Sequence, residues 1–216
     1  MTEGRLLIGN RRYSSWSLRG WLPVRLAGLD VEEIVIPFAP PGAASPIKGR
    51  TPSDLVPYLE HRGARVWESL AICEYCAEHA PGLWPEDRAA RAHARSIAAE
   101  MHAGFRDLRA TMPMNLGRDT PVAVTPACRA DIDRVETIWR EAIAAHGGPF
   151  LFGATFGNAD AMYAPVVARL LSYRPDLDAD TLAYCDAVRA HGLVAKWYDA
   201  AAAEPAEWLL DKYEAI

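Results

Sequence analysis

The chain has no run of about 18 apolar residues, so no segment reads as a bilayer span. It also has little excess charge: 23 Lys and Arg against 28 Asp and Glu leave a net charge of -5, with a pI near 5.7. A protein that grips nucleic acid regardless of sequence needs a basic surface to release phosphate counterions, so that class is excluded. Cysteine is scarce too. The four cysteines, at 73, 76, 128 and 185, sit inside helical patterns rather than in a disulfide framework, which predicts reduced thiols. Cys73-Glu74-Tyr75-Cys76 has redox or zinc spacing, but no second Cys/His pair lies nearby to complete a metal site. Two buried helix-face thiols and no metal are expected. The segment Met1-Thr2-Glu3-Gly4-Arg5 lacks a basic stretch followed by a long apolar core, and a cytoplasmic location is the expectation.

What is present points to a folded protein. Half of the 216 residues are hydrophobic and 24% are charged, without internal repeats or low-complexity tracts. That length predicts two domains, either able to bury a core. Leu6-Leu7-Ile8 reads as a strand, and Leu18, Trp21, Leu22, Leu26 and Leu29 recur at helical spacing after it. Glu33-Ile34-Val35-Ile36-Pro37 reads as a second, buried strand, so strand, helix, strand suggests a parallel pair. Tyr58–His61 and Ala64–Trp67 flank Arg62-Gly63 as a β-hairpin, and Leu70, Cys73 and Ala77 mark a helix from Glu68-Ser69 to near Pro81-Gly82. The first 80 residues therefore read βαβ, a loop, then ββα. A Pro/Gly-rich acidic linker over 81–87 leads into a region, 88–216, that reads as entirely helical. Its clearest helix opens at Thr125-Pro126 and stops at Gly147-Gly148; another starts near Asn158. Pro23 and Pro165 fall inside helical patterns and should each remove a hydrogen bond and bend the helix.

At the first strand-to-helix junction stands Tyr13-Ser14-Ser15-Trp16-Ser17. The first N–H groups of a helix lack internal partners and its dipole makes that end partly positive, so hydroxyls there suit a thiolate or phosphate. Equally, a serine there can simply cap the helix.

This serine-bearing turn, Val56-Pro57 before the hairpin and Glu68-Ser69 at the next helix together resemble the glutathione S-transferase family, over the whole chain. The resemblance implies an α/β thioredoxin-like N-terminal domain that binds glutathione and an all-α C-terminal helical bundle that holds the electrophile. Ser14-Ser15-Trp16-Ser17 is similar to the serine motif of the zeta-type enzymes, which implies that Ser14 contacts the glutathione sulfur, with Tyr13 and Ser15 as alternatives. Thr51-Pro52-Ser53-Asp54-Leu55-Val56-Pro57 resembles the family's segment ending in a cis-proline, where Val56 would pair its backbone with the cysteinyl part of glutathione. Glu68 and Ser69 match the pair that holds the γ-glutamyl end.

The chain departs from the family pattern before Val56, where Thr51, Asp54 and Leu55 replace the usual residues; Lys48 and Arg50 stand as candidates for the glycyl end. Gly157-Asn158-Ala159-Asp160 resembles the capping box of the second domain's central helix, with Gly157 where Ser or Thr is usual. Phe105 and Arg109, one helical turn apart in the first long helix after the linker, are candidates for the pocket of a small hydrophobic electrophile. Phe and Arg at such spacing also occur as core and solvated residues. Where thioredoxin-like oxidoreductases carry Cys-x-x-Cys this chain has Ser14-x-x-Ser17, which cannot form a mixed disulfide, so conjugation or isomerisation by glutathione addition is expected. A homodimer follows from the resemblance. Two rival readings keep the fold but not the activity, a silent glutathione-binding module and a structural protein with no ligand. Saturable binding without turnover marks the first, and no retention on a glutathione resin the second.

Overall fold

The structure, a computed structural model, describes residues 2–215. Strand β1 (Gly4–Ile8) is followed by helix α1 (Ser15–Leu26), β2 (Glu32–Val35), β3 (Tyr58–His61), β4 (Ala64–Trp67) and α2 (Ser69–His79). The sheet order is β2-β1-β3-β4; β1 runs parallel to β2, with Leu6 opposite Glu33, and antiparallel to β3, with Leu6 opposite Leu59. Because alternate strand residues face opposite sides, Leu6, Ile8 and Leu59 enter the main core while Leu7 and Tyr58 pack with Ile36 and Ile47 on the other face. That explains why the apolar run of β1 is continuous: both faces are covered. The hairpin turns at Arg62 and Gly63, both at positive φ (48° and 85°), the conformation its two-residue loop requires.

From Arg88 onward all longer elements are helices: α3 (Arg88–Ala103), α4 (Arg106–Thr111), α5 (Pro126–His146), α6 (Asn158–Tyr173), α7 (Ala179–Ala190), α8 (Gly192–Ala202) and a final turn α9 (Asp211–Glu214). None among the described residues is long and apolar enough to cross a membrane. Helix α5 begins and ends as its sequence expects: Thr125 accepts the Cys128 N–H at 3.1 Å, and Gly147 turns out at φ 80°. Helix α6 is buried on nearly every side, and α1 packs on α2 and on α6, so one hydrophobic core runs from the sheet into the bundle. Segment 81–87 is tied down rather than loose, with Leu83 and Trp84 buried and the Leu83 carbonyl accepting the Asn158 N–H at 2.9 Å.

Three details sharpen or correct the sequence expectations. Gly157 offers no side chain to cap α6; its own N–H donates to Asp160 at 2.9 Å, and a Cβ there would stand 3.0 Å from the Leu83 carbonyl oxygen. A side chain there would require the Leu83 carbonyl to shift by a few tenths of an ångström. Phe105 and Arg109 do not lie on the first long helix. That helix ends when Gly104 donates to the Glu100 carbonyl; Phe105 then takes a left-handed conformation (φ 56°), drops into the core, and starts α4. Both α1 and α6 run through their prolines without interruption. All four cysteines are free and buried, and burial raises the Cys73 thiol and pushes Cys76 up to about 12.

Candidate active site

The turn between β1 and α1 sorts the three candidate hydroxyls. Tyr13 sends its hydroxyl away from α1: it donates to the Glu214 carboxylate, accepts the Leu210 N–H at 3.3 Å, and its ring stacks on Tyr213. Burial, reinforced by the Glu214 hydrogen bond, raises its pKa to about 12. The C-terminal segment therefore occupies the Tyr13 hydroxyl, which counts against its sequence-based role beside the sulfur. Ser15, the first residue of α1, accepts a hydrogen bond from Arg169 Nη2 at 3.2 Å. Ser14 is the N-cap, its Oγ accepting the Ser17 N–H at 3.3 Å. Capping and ligand contact are compatible, because a hydroxyl that accepts still has a proton to give.

Beside this turn opens a cleft of about 280 Å³ lined by Trp16, Ser53, Leu55, Val56, Pro57, Glu68 and Ser69. The structure thus gathers Val56, Pro57, Glu68 and Ser69 next to α1. The Val56–Pro57 peptide is cis. Among the described residues the Val56 backbone groups make no hydrogen bond, unusual for partly buried polar groups and suited to an extended ligand. Ser69 Oγ is likewise buried and without a partner. Glu68, with its side chain exposed, sits at φ 68° ahead of α2, a left-handed conformation that favours glycine and aims the first N–H groups of α2 at the cleft edge. Gly20 lets α1 approach this strand: an added Cβ would fall 2.6 Å from Pro57 Cγ. Lys48 is exposed on the loop before Thr51 and does not line the cleft. A second hollow of about 330 Å³ lies between α5 and α7, walled by Trp139, Ile143, Thr181 and Tyr184, remote from all of these groups.

On the other side of Trp16 stands a cluster of which the sequence reading named only Arg109. Arg19 is fully buried, its guanidinium 4.7 Å from the Trp16 ring centre, donating to the Met162 carbonyl at 2.7 Å. Arg169, also buried, donates to the Pro165 carbonyl and to Ser15; Arg109 lies 5.5 Å over the Trp16 ring. Arg19 Nη2 and Arg169 Nε have no partner, and among the described residues no carboxylate pairs with any of the three arginines. Burial first, and mutual repulsion second, lowers the pKa of Arg19 well below its ordinary value and that of Arg169 to about 10. His102 meets the Trp16 ring edge at 5.2 Å and Glu68 at 3.5 Å, and burial, aided by Arg19 and Arg109, lowers its pKa against the pull of Glu68. One signal for this cluster was legible. Arg19 and Arg169 interrupt otherwise apolar helix stripes, between Leu18 and Leu22 and between Val167 and Leu170, and a charge buried in such a stripe wants a counter-charge.

A thioredoxin-like sheet joined to a helical bundle, with a largely apolar cleft where the first helix begins, defines the class of fold to which the chain belongs. Residues 13–79 match the family described as glutathione S-transferase, N-terminal domain, and residues 122–200 match glutathione S-transferase, C-terminal domain. The chain belongs to the glutathione S-transferase family. A probable maleylacetoacetate isomerase of Caenorhabditis elegans is 34% identical over 100 residues, 45% of this chain and 46% of that protein. The maleylacetoacetate isomerase of Rattus norvegicus is 26% identical over 184 residues, 82% of this chain and 83% of that protein. The fold matches a Burkholderia glutathione transferase homolog solved with bound glutathione (TM-score 0.71, 22% identity, 94% of this chain and 100% of that one). It also matches the holo structure of maleyl pyruvate isomerase, a bacterial zeta-class enzyme (TM-score 0.69, 22% identity, 94% and 99%).

Proposed function

We propose that the protein is a glutathione-dependent transferase or isomerase acting on a small electrophile that carries a carboxylate. One observation carries this reading. The cleft sets unpaired backbone groups at Val56 and an orphaned Ser69 hydroxyl beside the start of α1, while uncompensated arginines stand across Trp16. Val56 would pair with the cysteinyl backbone of glutathione, Glu68 and Ser69 would hold its γ-glutamyl end, and Ser14 at the N-terminus of α1 would donate to the sulfur. A free thiol titrates near 8.5, so an N-terminal dipole and one hydroxyl that lower it by about two units make the thiolate the main form at neutral pH. Arg109 would hold the carboxylate of the electrophile and His102 would border it, with the buried Arg169 and Arg19 adding positive charge behind them, in place of the contact first assigned to Phe105, which belongs to the core. The names of the curated relatives, isomerases of maleyl compounds, support this choice of substrate.

The test is calorimetric titration with glutathione followed by turnover assays. Saturable binding is expected, with a carboxylate-bearing maleyl-type cis-enone turned over at least about tenfold better than a neutral aryl halide, the equivalent of one charge-assisted hydrogen bond. Absence of glutathione binding overturns the reading; a preference for the neutral halide overturns its anionic part. As in the family at large, a homodimer in the cytoplasm is part of the proposal, and a sedimentation mass near the 23.7 kDa of one chain would overturn the dimer.

A further inference from the structure

Beneath Ser14 lies a second hydroxyl, that of Ser17, fully buried and 2.7 Å from Ser14 Oγ, a distance at which either hydroxyl can be the donor. Ser17 Oγ accepts the Gly9 N–H at 2.9 Å, and Ser14 Oγ accepts the Ser17 N–H at 3.3 Å. Neither hydroxyl has another partner among the described residues. A serine hydroxyl carries one proton and two lone pairs. If Ser14 gave its proton to Ser17, the Ser17 oxygen would accept twice and its own proton would have nowhere to go, in a site closed to water. A buried donor left unmade is costly. If Ser17 gives its proton to Ser14, the fully buried Ser17 hydroxyl is satisfied, and both Ser14 lone pairs are filled. The Ser14 proton then has no acceptor among the described residues and is free for a ligand.

We infer that Ser17 is a positioning residue: the chain Gly9 N–H to Ser17 Oγ to Ser14 Oγ turns the Ser14 proton outward to an anionic ligand. The relay also polarises Ser14, since each hydrogen bond in a chain strengthens the next. This rests on the proposal that Ser14 meets a glutathione thiolate. It assigns a role to a residue with no contact to the ligand.

The experiment is a pH titration of thiolate absorbance for glutathione bound to the parent protein and to Ser14→Ala, Ser17→Ala and Ser17→Cys, with glutathione affinity measured beside it. Ser17→Ala should raise the bound thiol pKa by about one unit, from about 6.5 to about 7.5, a roughly threefold loss of thiolate at pH 7. Glutathione affinity at low pH should change less than twofold, because the contacts at Val56, Glu68 and Ser69 are untouched. Ser17→Cys, which keeps the shape but hydrogen-bonds weakly, should give a smaller rise, and it carries the test should the alanine variant not fold. Adding Ser17→Ala to Ser14→Ala should move nothing further. An unchanged thiol pKa in folded Ser17 variants, with Ser14→Ala raising it, overturns the inference alone. An unchanged pKa in Ser14→Ala overturns the reading beneath it.

Discussion

Replacing Arg169 with Met should leave the ligand-free protein about as stable and make it a worse binder of anions. Arg169 is 4% exposed and its pKa lies at about 10 rather than 12.5, chiefly through burial and next through Arg109. A base whose folded-state pKa lies below its unfolded value costs stability at every pH below the folded value, and the cost fades only as the pH climbs from about 10 toward 12.5. That gap is worth about 3 kcal/mol. Against it stand two charge-assisted hydrogen bonds, to the Pro165 carbonyl at 3.0 Å and to Ser15 Oγ at 3.2 Å, which together return about 3 kcal/mol. Met keeps the apolar stem in place, so the two effects nearly cancel and the variant should stay within about 1 kcal/mol of the parent, or within roughly 2–4 °C in Tm for a chain of this size. Differential scanning calorimetry without ligands reads this directly. A dicarboxylate such as maleate, at a hundred times its Kd, should then stabilise the parent by about 2.7 kcal/mol and the variant far less. A fall of several degrees in the ligand-free variant would refute the reasoning, because it would make Arg169 a net prop of the fold.

Gly20→Ala pushes a methyl into Pro57 and Ile72; overpacking of that kind should cost about 1–3 kcal/mol, seen as a lower urea midpoint together with weaker glutathione binding. Tyr13→Phe removes the hydroxyl shared by Glu214 and Leu210 and should cost about 1–2 kcal/mol while leaving the titration of bound thiol alone; a shift in that titration would return Tyr13 to the sulfur. Burial raises the Asp160 pKa to about 6, partly offset by hydrogen bonds from Leu151, Gly157 and Tyr184. An acid raised in this way keeps its proton longer in the folded state. Its contribution to stability therefore falls as the pH rises from about 4 to about 6, and the difference between the parent and Asp160→Asn should slope with pH over that window and be flat above it. With every thiol buried and Cys76 and Cys185 both near 12, a disulfide thiol reagent should find none of the four cysteines in the native protein and all four in urea; rapid labelling of the native state would contradict the packing.

The fold was legible where a local rule and the core agreed. Arg62-Gly63 could hardly be other than a hairpin turn, and Thr125-Pro126 with Gly147 bracketed α5 because caps depend on neighbours in sequence. The break at Phe105 was not legible: a bulky residue in a left-handed conformation follows from where the core needs its ring, a tertiary demand that overrides helical periodicity. In the site, Val56, Pro57, Glu68 and Ser69 could be placed because each sits at a strand or helix boundary with its own sequence mark. The directions of the Tyr13 and Ser15 hydroxyls could not, since their partners Glu214 and Arg169 are 201 and 154 residues away in the chain. Arg19 showed in the sequence as a misplaced charge, but only the α1–α6 contact reveals that it meets the Met162 carbonyl and no carboxylate.

That contact between α1 and α6 ties the two parts of the proposed site together. Trp16 of α1 lines the cleft, with Ser14 capping the helix just before it, and one turn along Arg19 reaches α6; from α6 comes Arg169 back to Ser15. Ligand-free, these cations face one another with no counter-charge, so the interface carries an electrostatic cost that an entering carboxylate would cancel. Occupying the electrophile side should therefore tighten the α1–α6 contact that also sets the start of α1. Thermodynamic linkage makes the effect mutual: whatever glutathione gains from a better-held α1, the carboxylate ligand gains from bound glutathione. The favourable coupling expected between two neighbouring anions is thus limited by their own repulsion across Trp16. The buried arginines supply the positive charge that keeps it from turning negative.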